Sequence, residues 1–109
     1  MISGKAWTES DRYGNAIYLT WERWAHITEI DNHPEVEPYF DQIRETLRLG
    51  RRRQDVYDPN AYQYHRSFPN LPGRNSHLIV CVRYRWPVNL DGSIREEKFV
   101  TTAYFQHLG

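Results

Sequence analysis

The stretch that decides the fold is HLIVCVRYRW, residues 77–86. Its apolar residues alternate along the chain, at Leu78, Val80, Val82 and Tyr84. This two-residue period is typical of a β-strand with one buried face. The next segment, PVNLDGS, carries Asp91-Gly92, a strong short hairpin signal, and KFVTTAYFQHL then returns as a second strand. We therefore predict an antiparallel hairpin at this end of the chain.

Upstream of this hairpin the apolar period changes. AYQYHRSF, residues 61–68, alternates as a strand, whereas residues 35–49 carry apolar side chains at helical spacing: Val36, Phe40, Ile43 and Leu47. A first helix is expected from about Thr20, a plausible N-cap, to Ile30. KAWTES and AIYL suggest two short strands before it, and DVY a short strand near residue 56. We predict a single α+β domain over residues 1–109, with N-terminal helices packed on one face of an antiparallel meander sheet of about four strands.

The predicted core joins these elements. The residues expected between helices and sheet are Trp24, Ile27, Phe40, Ile43, Leu47, Leu78, Val80 and Val82. The first helix contributes a stripe of Trp24, Ile27 and Ile30 at a spacing of three. Cys81, the single cysteine, excludes an intramolecular disulfide and is expected as an inert thiol.

Composition narrows the class of protein. The formal net charge is zero, so any nucleic-acid site must come from local clustering of cations. No apolar run approaches the ~20 residues of a membrane span, and the N-terminus has no apolar signal segment. We expect a cytoplasmic protein that does not enter a membrane, and the sequence leaves its oligomeric state open.

Several kinds of catalytic site are unsupported by the motifs. There is no HExxH motif, and His26 and His33 are seven residues apart across a helix break. GxSxG, GxGxxG and GxxxxGK[ST] are also missing from the sequence. We predict no metal and no cofactor.

Arginines interleaved with aromatic residues point to RNA. Arginine gives bidentate phosphate contacts and aromatic rings stack on bases, the two ingredients of single-stranded RNA recognition. The predicted substrate-binding residues are Arg51, Arg52, Arg53, Tyr64, Arg83 and Trp86.

The histidines divide into one candidate for chemistry and several ordinary ones. His26 follows Trp24 by two positions, so on a helix it points away from the core stripe and is either exposed or facing a cleft. His33 precedes Pro34 and is expected as a cap or turn residue. His65 shares a strand face with Gln63 and is expected to be solvated, whereas His77 and His107 are expected to be peripheral.

The order of these motifs resembles a known family. GNAIYLTWERWAHI, HPE, an amphipathic helix, a YxYHR strand, an apolar strand and FVTTAYF follow one another from about Trp7 to Phe105. This order resembles small phage- and bacteria-associated domains of the superfamily that groups barnase, EndoU, colicin-type tRNases and RelE-like toxins. Its most specific pieces are LTxERWxHI and TAYF.

The resemblance implies a metal-independent endoribonuclease. Such an enzyme uses the ribose 2′-hydroxyl as nucleophile and leaves a 2′,3′-cyclic phosphate. Carried over by position, the implied catalytic residues are His26, Arg66, Thr102 and Tyr104, which we expect to meet in one cleft. The implied partners are RNA and a neutralising antitoxin or immunity protein. The alternative is a non-catalytic module of the same fold that binds protein or RNA.

Overall fold

A computed structural model describes residues 4–108. It contains six strands, two α-helices and one 3-10 helix. In chain order these are β1 (Lys5–Ser10), β2 (Ala16–Thr20), α1 (Trp21–Ile27), the 3-10 helix (Pro34–Tyr39), α2 (Phe40–Leu49), β3 (Arg51–Gln54), β4 (Ala61–Ser67), β5 (His77–Arg85) and β6 (Glu97–Gln106).

All six strands form one mixed sheet in the order β1-β2-β6-β5-β4-β3. Neighbouring strands are antiparallel except for β2 and β6, which pair in parallel through Tyr18 and Phe99. The α+β class and the β4–β5–β6 meander agree with the prediction. The expectation of about four antiparallel strands is only roughly met, because the β1–β2 hairpin docks beside β6 and β3 adds an outer strand.

Strand β3 could not be found from its side chains. It is RRRQ, with no apolar alternation, and it forms an edge of the sheet whose backbone pairs with β4. An edge strand needs only backbone hydrogen bonds on one side, so its side chains can all be polar. The strand predicted at DVY is wrong, since Val56 and Tyr57 lie in an exposed bend.

The helices are shorter than predicted. Thr20 caps α1 as expected, its hydroxyl accepting from the backbone N–H of Arg23 at 3.0 Å. The helix ends at Ile27, and Ile30 is 88% exposed, so its placement on the core stripe is wrong. Pro38 cannot donate the hydrogen bond that a continuous α-helix needs, and residues 34–39 form a 3-10 helix before α2 begins.

The core lies between α2 and one face of the sheet. Of the predicted core residues, Ile27, Ile43, Leu47, Leu78, Val80 and Val82 are buried. Trp24 and Phe40 are half-buried and pack against this core, with their ring centroids 4.9 Å apart. The β1–β2 hairpin adds Trp7, Ile17 and Leu19 to the same cluster.

The sheet curls so that the β1–β2 hairpin closes over α2. Arg12, in the hairpin turn, donates to the carbonyl of Leu49 at the end of α2. Arg52 of β3 lies over the ring of Tyr13, although β1 and β3 are the two edges of the sheet. We call the face that packs on α2 the covered face and the opposite one the open face.

Candidate functional site

The open face is organised in rows that cross the strands. Side chains of directly paired residues point to the same side of a sheet. The Arg53 row consists of Arg53, Gln63, Cys81 and Thr102. The Arg51 row lies next to it and consists of Arg51, His65, Ile79 and Tyr104. Each row crosses from β3 to β6, about 14 Å at the usual strand spacing.

Ile79 marks the centre of the open face. It is only 1% exposed although it does not belong to the core cluster between the helices and the sheet. Its neighbours on the open face are His65 and Tyr104 across the strands and His77 and Cys81 along β5. These four side chains form a polar ring over an apolar floor, and we call this group the Ile79 ring.

The two imidazoles of the Ile79 ring lie close together. The ring centroids of His65 and His77 are 6.4 Å apart. The hydroxyl of Ser76 lies 2.7 Å from Nδ1 of His77 and accepts from the backbone N–H of Leu108. Within residues 4–108, Nε2 of His77 and both ring nitrogens of His65 make no hydrogen bond. The pair is therefore free to bind a ligand.

Cationic groups lie around His65. Burial lowers its pKa first, and the positive charges of His77, Arg53 and Arg51 lower it further. Arg53 donates to Gln63 at 2.8 Å. Neither Arg51 nor Arg53 has a carboxylate within ion-pair distance in the part of the chain that is described. Asp55 brings one carboxylate to this face, where it accepts from Gln63 at 3.3 Å, and an anion would balance the remaining positive charge.

Tyr104 and Cys81 stay protonated at neutral pH. Burial, together with the neighbouring Cys81, raises the pKa of Tyr104. Burial also raises the pKa of the Cys81 thiol, which opposes a role as nucleophile and agrees with the inert thiol that we expected. Tyr104 is thus a hydrogen-bond donor, and the ring of His33 lies 5.8 Å from its ring.

A cleft adjoins the open face beside α1. It has a volume of about 1050 Å³, and its lining includes Tyr18, Trp21, His26, Arg85 and Phe99. The His26 side chain is 57% exposed, with Nδ1 3.7 Å from a carboxylate oxygen of Glu29. The prediction that His26 is exposed or faces a cleft is confirmed. We call this space the α1 cleft.

Arg66 does not reach the other predicted catalytic residues. It pairs with Leu78 and shares the covered face, whereas Thr102 and Tyr104 are on the open face. Its Nε lies 3.5 Å from a carboxylate oxygen of Glu45 in α2. The hypothesis of one cleft holding His26, Arg66 and Thr102 is therefore wrong. Thr102 and Tyr104 lie together, and His26 lines the α1 cleft at the side of the same face.

Two predicted substrate-binding residues also lie on the covered face. Tyr64 is fully buried, so it has no surface on which a base could stack. Arg52 lies over the rings of Tyr13 and Tyr62 and donates to the Tyr84 hydroxyl at 2.7 Å. Both residues belong to the packing of the domain.

Tyr64 is the centre of a buried polar network. Its hydroxyl donates to the carboxylate of Asp11 and lies 2.7 Å from the hydroxyl of Tyr84. Burial raises the pKa of Asp11, but hydrogen bonds from Tyr64, Asn15 and Tyr13 outweigh burial and leave it below its usual value. Burial and the hydrogen bond to Asp11 raise the pKa of Tyr64 well above its usual value. This network joins the hairpin turn to β4 and β5.

The other predicted substrate-binding residues remain accessible. Arg51 and Arg53 lie at the β3 end of their rows. Arg83 pairs with Phe99 across β5 and β6 and forms an ion pair with Asp58 at 2.6 Å. Trp86 is half exposed where β5 leads into the β5–β6 hairpin. Arg85, which the prediction did not include, lies over Phe99 and is paired with Glu97 at 2.7 Å.

His65 and His77 are the residues that sequence reasoning undervalued. Alternation along β4 placed His65 opposite to Tyr64, but the pattern did not reveal which residue of β5 lies beside it. Loop 68–76 separates the two strands, and its length leaves their register open. The structure pairs His65 with Ile79 and Ser67 with His77, which makes the two histidines diagonal neighbours.

Comparison of the chain with protein-family models, curated proteins and solved structures gives no significant match. None of the helices within residues 4–108 is long and apolar enough to cross a membrane.

Proposed function

We propose that the protein is a metal-independent endoribonuclease that holds a single strand of RNA on the open face. In this proposal the strand runs from the α1 cleft across the Arg53 and Arg51 rows. The reacting phosphate lies over the Ile79 ring. The resemblance to barnase-, EndoU-, colicin- and RelE-type nucleases supports the same activity.

One observation carries this proposal: the open face combines imidazole and hydroxyl groups with two cations, Arg51 and Arg53, that form no ion pair within residues 4–108. Arg51 and Arg53 can bind phosphoryl oxygens bidentately. Thr102 and Tyr104 can donate hydrogen bonds to the same phosphate. Such preorganised donors stabilise the charge that develops in the transition state.

The α1 cleft fits a neighbouring nucleotide. Tyr18 and Phe99 have ring centroids 5.9 Å apart, and Trp21 is a further aromatic lining residue. Stacking of a base on an aromatic side chain is worth about 1–3 kcal/mol and tolerates any sequence. His26 and Arg85 are polar groups of the same cleft, within reach of a nucleotide bound there.

Cleavage of a labelled single-stranded RNA in EDTA tests the proposal. We expect products that end in 2′,3′-cyclic phosphate and 5′-hydroxyl, and no cleavage of the matching 2′-O-methyl strand, which lacks the nucleophile. Arg53→Ala should slow cleavage, whereas Arg74→Ala, the loss of the same charge in an exposed loop, should not. Intact RNA after prolonged incubation with pure wild-type protein would contradict the proposal.

A second function, binding of a neutralising protein, is favoured by the β5–β6 hairpin. Its exposed apolar side chains are Val88, Leu90 and Ile94, with Leu90 fully exposed. The hairpin continues directly from Arg85 at the edge of the α1 cleft, so a protein bound there would obstruct RNA. Leu90→Ser should weaken capture of such a protein and leave RNA cleavage unchanged; equal capture by the variant would remove this candidate.

A further inference from the structure

We propose that His65 and His77 are the general base and general acid of the cleavage reaction. This inference rests on the proposed endoribonuclease function and assigns its proton transfers to residues of β4 and β5. The resemblance to the nuclease superfamily implies His26 for this chemistry.

The two imidazole rings are close enough for one phosphate to contact both. The ring centroids of His65 and His77 are 6.4 Å apart, on neighbouring strands of one sheet. An N–H···O hydrogen bond is about 2.9 Å long, so one phosphate lying above the sheet can contact both rings. Rigid strands hold such a pair more precisely than loops do.

The side chains around the pair include several hydrogen-bond donors. The groups that face it are Arg51 and Arg53 from β3 and Tyr104 from β6, all of which can donate to a phosphate. In the described chain no carboxylate forms an ion pair with either imidazole. By contrast, His26 lies 3.7 Å from Glu29 and His33 lies 3.1 Å from Glu35. Asp55, which accepts from Gln63 at 3.3 Å, brings one negative charge to the same face, and Arg51 and Arg53 outnumber it.

The lowered pKa of His65 and the orientation of His77 fit the two roles. The pKa of His65 is lowered, which keeps its imidazole neutral and able to accept a proton. His77 is oriented by Ser76, whose hydroxyl lies at Nδ1 and leaves Nε2 available to a ligand. A positioned acid or base contributes about 10²–10⁴-fold to such reactions.

In the proposed reaction one histidine accepts a proton and the other donates one. His65 removes the proton from the ribose 2′-hydroxyl, and the 2′-oxygen forms a bond to phosphorus. The bond between phosphorus and the 5′-oxygen breaks, and protonated His77 gives its proton to that oxygen. The products are a 2′,3′-cyclic phosphate and a 5′-hydroxyl, and proton exchange with water restores both histidines.

Amide substitutions test the pair with little change in the polarity of the two positions. His65→Gln and His77→Asn keep a polar side chain that cannot transfer protons. We expect each to lower the single-turnover cleavage rate by about 10²–10⁴-fold with an unchanged melting temperature. His107→Ala, at an exposed site where Nδ1 contacts the Arg74 carbonyl, should cleave at the wild-type rate.

A modified substrate separates the two roles. RNA with sulfur in place of the bridging 5′-oxygen has a leaving group that needs no acid. With this substrate, His77→Asn should recover most of the wild-type rate, whereas His65→Gln should stay slow.

The outcomes distinguish this inference from the function on which it rests. If the wild type and both amide variants cleave RNA equally well, the assignment of the pair is wrong and the proposed function stands. If only His26→Ala loses cleavage, His26 of α1 performs the proton transfer instead. Absence of wild-type cleavage would overturn the proposed function and the pair together.

Discussion

The covered face and the open face of the sheet contain similar residue types that serve different ends. On the covered face, Tyr64 and Arg52 are enclosed in hydrogen bonds and ring contacts that hold the hairpin, the helix and the sheet together. On the open face, Tyr104 and Arg53 have comparable chemistry, but Tyr104 is only partly buried and Arg53 forms no ion pair within residues 4–108. In this domain, the face on which a side chain lies therefore decides whether it contributes to stability or to binding.

The largest expected effect is on the covered face. Leu47→Ala removes a fully buried side chain and should lower the free energy of unfolding by about 2–5 kcal/mol, measured by urea titration. Leu49→Ala, at a partly exposed neighbouring position, is the matched control and should cost much less. Equal losses in the two variants would show that α2 does not pack as described.

Next in size is the buried hydroxyl of Tyr64. Tyr64→Phe removes the donor to Asp11 and leaves that carboxylate less satisfied, which should cost roughly 1–3 kcal/mol. Tyr62→Phe is the control, since the Tyr62 hydroxyl makes no hydrogen bond within residues 4–108. If the two variants unfold at the same urea concentration, the network contributes no stability.

A pH-dependent effect follows from the same network. Because the pKa of Asp11 is lowered in the folded protein, its contribution to stability is complete above the ordinary carboxyl pKa of about 3.9. It is lost as the pH falls through the folded-state value. Asp11→Asn should therefore show a weaker decline of unfolding free energy below about pH 4 than the wild type. Parallel acid titrations of the two proteins would contradict this assignment.

The smallest effect distinguishes the faces most sharply. Arg66→Ala breaks a partly exposed ion pair with Glu45 and should cost at most about 1 kcal/mol. It should leave RNA cleavage unchanged because Arg66 lies on the covered face. Arg53→Ala should instead reduce the salt dependence of RNA binding, since each lost phosphate contact lowers the slope of log K against log salt by about 0.7. If Arg66→Ala cleaves RNA more slowly than the wild type, Arg66 belongs to the active site after all.

Much of the fold follows from apolar patterns. The period of two predicted β4, β5 and β6, and the helical period predicted most of α2. The parallel pairing of β2 with β6 depends on where the first hairpin docks, and no local pattern encodes that contact. Strand β3 has four polar side chains and therefore gave no signal.

The candidate site was predictable in part. Thr102 and Tyr104 are two residues apart on one strand, so they share a face. By the same alternation, Arg66 and Tyr64 lie on one face of β4. Because Tyr64 is buried against the core, Arg66 lies on the covered face. A bulge near Cys81 shifts the register of β6, so Phe99 and Thr102 share a face despite their odd spacing. The diagonal contact of His65 with His77 depends on the register across loop 68–76.

The most direct test of the two-face account is an NMR titration with a non-cleavable 2′-O-methyl oligonucleotide, which measures binding without cleavage. The account predicts chemical-shift changes at Arg53, His65, His77 and Tyr104 and at the residues of the α1 cleft, with Tyr64 and Arg66 unchanged. Shifts confined to the β5–β6 hairpin or the covered face, or no shifts at saturating oligonucleotide, would contradict it.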